Sequence, residues 1–141
     1  MPSPSISFHA VDTPFKLKQQ KKNKVWLVAV ASAEKKVFGT LNYIFCNDAH
    51  LLQINREYLK HDTYTDIITF DYSEKKTISG DIFISIERVT ENAEKFKQPF
   101  EIELQRVMVH GVLHLIGYKD KLPQDKEIMR AKENFYLKKA L

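Results

Sequence analysis

The segment Gln105-Arg106-Val107-Met108-Val109-His110-Gly111-Val112-Leu113-His114-Leu115-Ile116-Gly117 constrains the fold more than any other part of the chain. Val107, Val109, Val112, Leu113, Leu115 and Ile116 do not keep to one helical face, so a helix here must be buried on most sides rather than washed by solvent. That helix is expected over Phe100 to Ile116, with Gly117 placed to end it in a left-handed turn. A helix of this kind needs the rest of the chain packed around it.

What surrounds it is a mixture of strands and helices. Ile6 to Val11 alternates loosely and reads as a first strand. Asp12 or Thr13 is the expected cap of a helix that holds Pro14 in its first turn, runs to about Lys35 and buries Phe15, Trp26 and Val30. Gly39 to Phe45 returns as a strand, after which Asn47 or Asp48 caps a second helix whose apolar side is Leu51, Leu52, Ile54, Tyr58 and Leu59. Asp66 to Tyr72 and Ile78 to Ile86 are β-branched and aromatic, and they are expected to pair as a hairpin. A helix over Glu87 to Phe96 and a last one after Pro123 complete the order β-α-β-α-β-β-α-α-α. The class implied is α+β, a small mixed four-stranded sheet covered by helices, with the histidine-bearing helix packed centrally. At 141 residues and 43% hydrophobic content, with no internal repeat, the chain is expected to form one domain over residues 1–141.

Several classes are disfavoured. The lone Cys46 cannot form an internal disulfide, and it lies in the apolar run Tyr43-Ile44-Phe45-Cys46, where it is expected to pack as a small hydrophobe. The opening residues carry no basic segment followed by a long apolar stretch, and no run approaches the roughly 18 apolar residues of a membrane span. Neither secretion nor membrane insertion is expected, and a reducing cytoplasm is the expected location. A formal charge of +4 would attract phosphate-bearing partners, but the bunched lysines at Lys16 to Lys24 and at Lys138 and Lys139 read as solvated helix faces.

His110 and His114 are four positions apart, one turn of a helix, so both rings can reach one metal ion. Beyond Gly117, Tyr118-Lys119-Asp120 would fold back and return Asp120 toward the histidines. Three protein ligands with a fourth position left for water is the pattern of a catalytic zinc rather than a closed structural one. Two histidines at this spacing also occur as core or capping residues, so the pair alone does not decide. Gly111 stands where the zinc-protease motif His-Glu-x-x-His would place its general base. Its missing side chain is expected to leave space beside the metal for another backbone or a substrate phosphate.

HGVLHLIGYKD resembles the signature of the YbeY family of rRNA maturation nucleases, H-G-x-L-H-L-x-G-Y-D-H. Ile54-Asn55 through Tyr58, then Asp62 and Thr65-Asp66-Ile67-Ile68-Thr69-Phe70, is similar to that family's L-N-x-x-Y-R-x-x-D-x-x-T-D-V-L-S-F. Ser79-Gly80-Asp81-Ile82-Phe83-Ile84 is similar to its G-D-I-x-I strand. The resemblance implies a zincin-like fold and a single-strand-specific, metal-dependent endoribonuclease. Such an enzyme matures the 3′ end of small-subunit (16S) rRNA and takes part in ribosome quality control. Its partners would be single-stranded RNA, rRNA and the small ribosomal subunit, with no membrane and no nucleotide cofactor.

By the same resemblance His110 and His114 carry over as metal ligands, and Asp120 stands where the family has a third histidine. Two histidines and a carboxylate suit Zn²⁺, the family's usual metal, and also Fe²⁺ or another divalent ion. The family's arginine after the tyrosine is Leu59 here; His61, beside Lys60 and Asp62, is the expected substitute as hydrogen-bond donor or proton shuttle. Asp66 and Asp81 are expected to be buried hydrogen-bonding residues. Either water or the RNA 2′-hydroxyl can serve as nucleophile. Of the rival readings, a metalloprotease lacks its base at Gly111, and a non-haem iron oxygenase would build its ligand set on β-barrel strands. The serious alternative is a non-catalytic ribosome-assembly factor that keeps the fold and the metal site.

Overall fold

A computed structural model describes residues 5–60 and 65–140. The elements are β1 (Ser5–Ala10), α1 (Gln20–Ala33), β2 (Val37–Cys46), α2 (Asp48–Ile54), β3 (Ile67–Asp71), β4 (Thr77–Ser85), α3 (Ile86–Lys95), α4 (Phe100–Ile116) and α5 (Pro123–Leu137). The order agrees with the sequence reading, with a π-helical turn over Asn55–Leu59 added to the end of α2. The sheet runs β1-β2-β4-β3; β1, β2 and β4 are mutually parallel neighbours, and β3 is antiparallel to β4, so the sheet is mixed.

Alternation along the strands divides the sheet into two faces. Leu41, Tyr43 and Phe45 of β2 and Ile78, Ile82 and Ile84 of β4 point to one side, into the main core with α1, α4 and α5. Ile68 and Cys46 join Leu51 and Ile54 of α2 in a smaller cluster. Cys46 is fully buried and packs as a small hydrophobe.

Helix α4 occupies the bounds that its flanking Pro99 and Gly117 mark, with nine of its residues buried. Its wide apolar surface is used because it meets strands β3 and β4 and helices α1, α3 and α5 at once. The Tyr43 hydroxyl donates to the Met108 carbonyl at 2.8 Å, so this fully buried phenol has an acceptor. Trp26 is core, as its place in α1 suggested, and its indole N–H donates to the Tyr136 carbonyl at 2.9 Å. No helix among the described residues is long and apolar enough to cross a membrane.

The first helix starts later than the sequence suggested. Asp12 and Gln19 are left-handed, and α1 begins only at Gln20, so Pro14 lies outside it. The cause is the pair Phe15 and Leu17: Phe15 sets its ring edge-on to Phe45 at 5.1 Å, and Leu17 is buried. Residues two apart do not share a helical face, and an irregular segment turns both inward where a helix could not.

A second correction concerns Gly111. A Cβ there would lie 2.8 Å from Ile82 Cδ1 and 3.1 Å from Ile67 Cδ1. The glycine therefore lets the helix approach the side chains of β3 and β4; it does not leave a space for a phosphate or another backbone.

Candidate metal centre

His110 and His114 sit one turn apart on α4, with ring centroids 4.5 Å apart. Gly117, at φ 123, ends the helix, and its amide and that of Tyr118 both return to the Leu113 carbonyl. The chain then doubles back and brings Asp120 Oδ2 to 3.3 Å from His110 Nε2 and 3.2 Å from His114 Nε2. One donor atom from each of the three residues lies within 4.8 Å of the others. Bonds of about 2.0–2.1 Å in a tetrahedron require donors roughly 3.3 Å apart, which is the spacing of both histidine–aspartate pairs. The arrangement fits a divalent ion.

The other nitrogen of each ring is already engaged. His110 Nδ1 donates to Glu133 Oε2 at 2.7 Å, and His114 Nδ1 donates to the Tyr118 carbonyl at 2.9 Å. Because each partner only accepts, each ring carries a proton on Nδ1, which leaves Nε2, turned to Asp120, as the atom free to bind a metal. These are the outer contacts that fix ring orientation and raise ligand basicity in metal sites. Glu133 is itself held by Arg106, whose guanidinium donates to Oε1 at 3.0 Å. Lys132, next to Glu133, and the hydroxyls of Tyr118 and Tyr136 all donate to Glu34 at the end of α1.

Charge follows from this packing. Burial works against the His110 cation, yet the hydrogen bond and charge of Glu133, with Asp120 and Asp66 nearby, hold its pKa above the ordinary value. Burial also works against the Glu133 carboxylate, but His110 and Arg106 hold its pKa below the usual range. Burial pushes Asp66 up, with the His110 charge opposing.

A groove of about 920 Å³ opens beside the three donors. Among the described residues its walls include Leu59, Thr65 to Thr69, Phe96, Lys121 and Arg130. Asp66 thus faces the groove. Asp81 is a structural acceptor away from it, taking hydrogen bonds from Asn42 at 3.0 Å and the Tyr72 hydroxyl at 3.4 Å. His61, the expected proton shuttle, lies outside the described residues. None of the bunched lysines of α1 or the C-terminal end lines this groove; Lys22 and Lys139 line a separate one between α1 and α5.

Glu133, Arg106 and Glu34 are residues the sequence reading missed. An apolar helix with a histidine pair announces itself by spacing, whereas Glu133 meets His110 only because α5 packs along α4.

Residues 6–141 match the family model described as Endoribonuclease YbeY. A relative named Endoribonuclease YbeY from Flavobacterium psychrophilum is 53% identical, with 94% of each chain covered. One of the same name from Cytophaga hutchinsonii is also 53% identical, over 95% of this chain and 94% of the relative. The solution structure of a Thermotoga maritima protein superposes with a TM-score of 0.67 at 26% identity, covering 96% of this chain and 88% of that one. With the signature residues converging as a donor set and the match running almost the whole length, the chain belongs to the YbeY endoribonuclease family.

Proposed function

We propose that this protein is a metal-dependent endoribonuclease of single-stranded RNA, acting in the cytoplasm on the 3′ end of small-subunit (16S) rRNA and in ribosome quality control. Its ion, Zn²⁺ or another divalent metal such as Fe²⁺, is held by His110, His114 and Asp120. The observation that carries this reading is the convergence of two Nε2 atoms on Asp120 Oδ2 at 3.2 and 3.3 Å while both Nδ1 atoms are tied elsewhere. The family relation supplies the reaction class.

A divalent ion bound there supplies positive charge to a phosphodiester and makes a water more acidic. Asp120 in place of a neutral ligand lowers the charge of the loaded site by one, so that water is less acidic than with three histidines. Glu133 holds the His110 ring by Nδ1, Arg106 holds Glu133, and Tyr118 holds His114, so the donors are preorganised. Arg130, with its side chain 60% exposed at the groove, is placed to meet a phosphate oxygen. Gly111 offers no base for peptide hydrolysis.

The test is cleavage of a single-stranded RNA by the purified, metal-loaded protein beside His110→Ala and chelator-treated samples. Cleavage lost in both controls is the expected result. A wild-type protein that binds metal yet leaves RNA intact would instead favour the assembly-factor reading.

A further inference from the structure

The groove beside the donor set is a poor electrostatic trap for a polyanion. Its described walls carry five carboxylates, Asp66, Asp71, Glu103, Asp120 and Glu133, against three Lys or Arg side chains, Arg106, Lys121 and Arg130. Arg106 is engaged by Glu133 and by Asn134 at 2.9 Å, and Arg130 reaches Glu133 at 3.7 Å. A divalent ion brings the balance near zero without reversing it. A single strand held here must draw on something besides phosphate neutralisation, and the other general source of affinity is stacking of bases on aromatic faces.

Phe96 is the one Phe, Tyr or Trp side chain among the described residues that line the groove. It follows Val89 and Ala93, the buried positions of α3, at the spacing of a continuing apolar stripe, yet it stands past the edge of the core and is 52% exposed. Lys97 turns left-handed directly after it, so the chain leaves the helix at this point. No ring pair among the described residues includes Phe96. The Lys95 ammonium lies over its ring, 5.6 Å from the centroid.

We propose that Phe96 is the base-stacking platform of the groove, taking a nucleobase of single-stranded RNA on its face while Lys95 brings a positive charge to the same place. The inference rests on the endoribonuclease reading and adds to it the element that selects unpaired strands. A base in a duplex is already stacked and cannot reach the ring, whereas a splayed base in a single strand can. Because every base has a π-face, the contact would grip the strand without reading sequence.

The experiment measures binding of a labelled, uncleaved single-stranded oligodeoxynucleotide and cleavage of the matching RNA by the metal-loaded full chain. Phe96→Ala and Phe96→Leu are compared with Phe96→Trp. Both non-aromatic variants are expected to weaken binding and raise KM roughly 5- to 100-fold with kcat changed little. Phe96→Leu fills a similar volume, so loss in that variant at unchanged melting temperature separates stacking from packing. Phe96→Trp should retain binding and lose fluorescence on adding oligonucleotide, over the constant background of buried Trp26. Wild-type binding and KM in the Phe96→Leu and Phe96→Ala variants would overturn the stacking role while leaving the nuclease reading intact. A wild-type protein that neither binds the strand nor cuts RNA would overturn both.

Discussion

The Tyr118 hydroxyl donates to Glu34 Oε1 at 2.6 Å, tying the turn after α4 to the end of α1 across 84 positions of sequence. The carbonyl of the same Tyr118 holds His114 Nδ1, and two residues later the turn delivers Asp120. Burial opposes the Glu34 carboxylate, but Tyr118, Tyr136 and Lys132 hold its pKa below the usual range, so it is anionic at neutral pH. Glu34→Ala should cost about 1–3 kcal/mol of stability by leaving these donors without their acceptor. It should also loosen divalent-metal binding roughly tenfold. Urea unfolding of the metal-free protein and chelator competition report the two effects separately. Unchanged metal affinity would confine Glu34 to folding.

Glu133→Gln keeps an acceptor for His110 Nδ1 but removes the charge that raises the basicity of the ring. Metal binding should weaken roughly 10- to 100-fold. Competition titration with a chromophoric chelator checks this, and an affinity equal to wild type would show that the carboxylate charge does not act on the centre.

The same pair sets a pH window for the metal-free protein. His110 has a raised folded-state pKa, so its contribution is present below its unfolded value near 6.5 and is lost as pH rises through the raised one. Glu133 has a lowered pKa, so its contribution is present above its unfolded value near 4.5 and is lost as pH falls through the lowered one. Melting temperature should be highest in the weakly acidic range between these limits, and Glu133→Gln should flatten the profile there. A wild-type profile without that maximum would count against the ion pair.

Gly111 inside α4 and Gly117 just past its end should respond to alanine for different reasons. At Gly111 the added Cβ meets Ile82 Cδ1 at 2.8 Å, and the overpacking cost of about 1–3 kcal/mol outweighs the roughly 1 kcal/mol gained in helix propensity. At Gly117 nothing lies within 4 Å, but φ of 123 strains any side chain, by about 1–2 kcal/mol. Only Gly117→Ala should also weaken metal binding, since it reshapes the turn that carries Asp120. Differential scanning calorimetry with and without metal distinguishes the two.

Where apolar pattern and punctuation agree, the sequence was legible. Pro99 and Gly117 bracket a segment whose second half, from Val107 to Ile116, is apolar on most sides, and α4 occupies those bounds. Asn47 caps α2 as expected, its side chain accepting from the His50 amide at 2.8 Å. The convergence of the histidine pair and Asp120 could be read because the three are local and share one turn geometry. The start of α1 could not, because Pro14 and a capping residue make a locally credible helix and only tertiary demand for Phe15 and Leu17 overrides it. Glu133 and Glu34 carry no local mark of their roles. They are two among many acidic residues until α1 and α5 are docked.

All the donors fall within residues 110–120, ahead of α5, whose first residue is Pro123. A nascent chain that has emerged only that far already holds both imidazoles and the carboxylate, but not the Glu133 that steadies the first of them. A divalent ion taken up by these three donors would be held more tightly once the C-terminal helix closes against α4 and brings Glu133 to His110. The strength with which a divalent ion is retained would then be a gauge of that closure, and a chain cut short before Pro123 should surrender such an ion to competitors that the complete protein withstands.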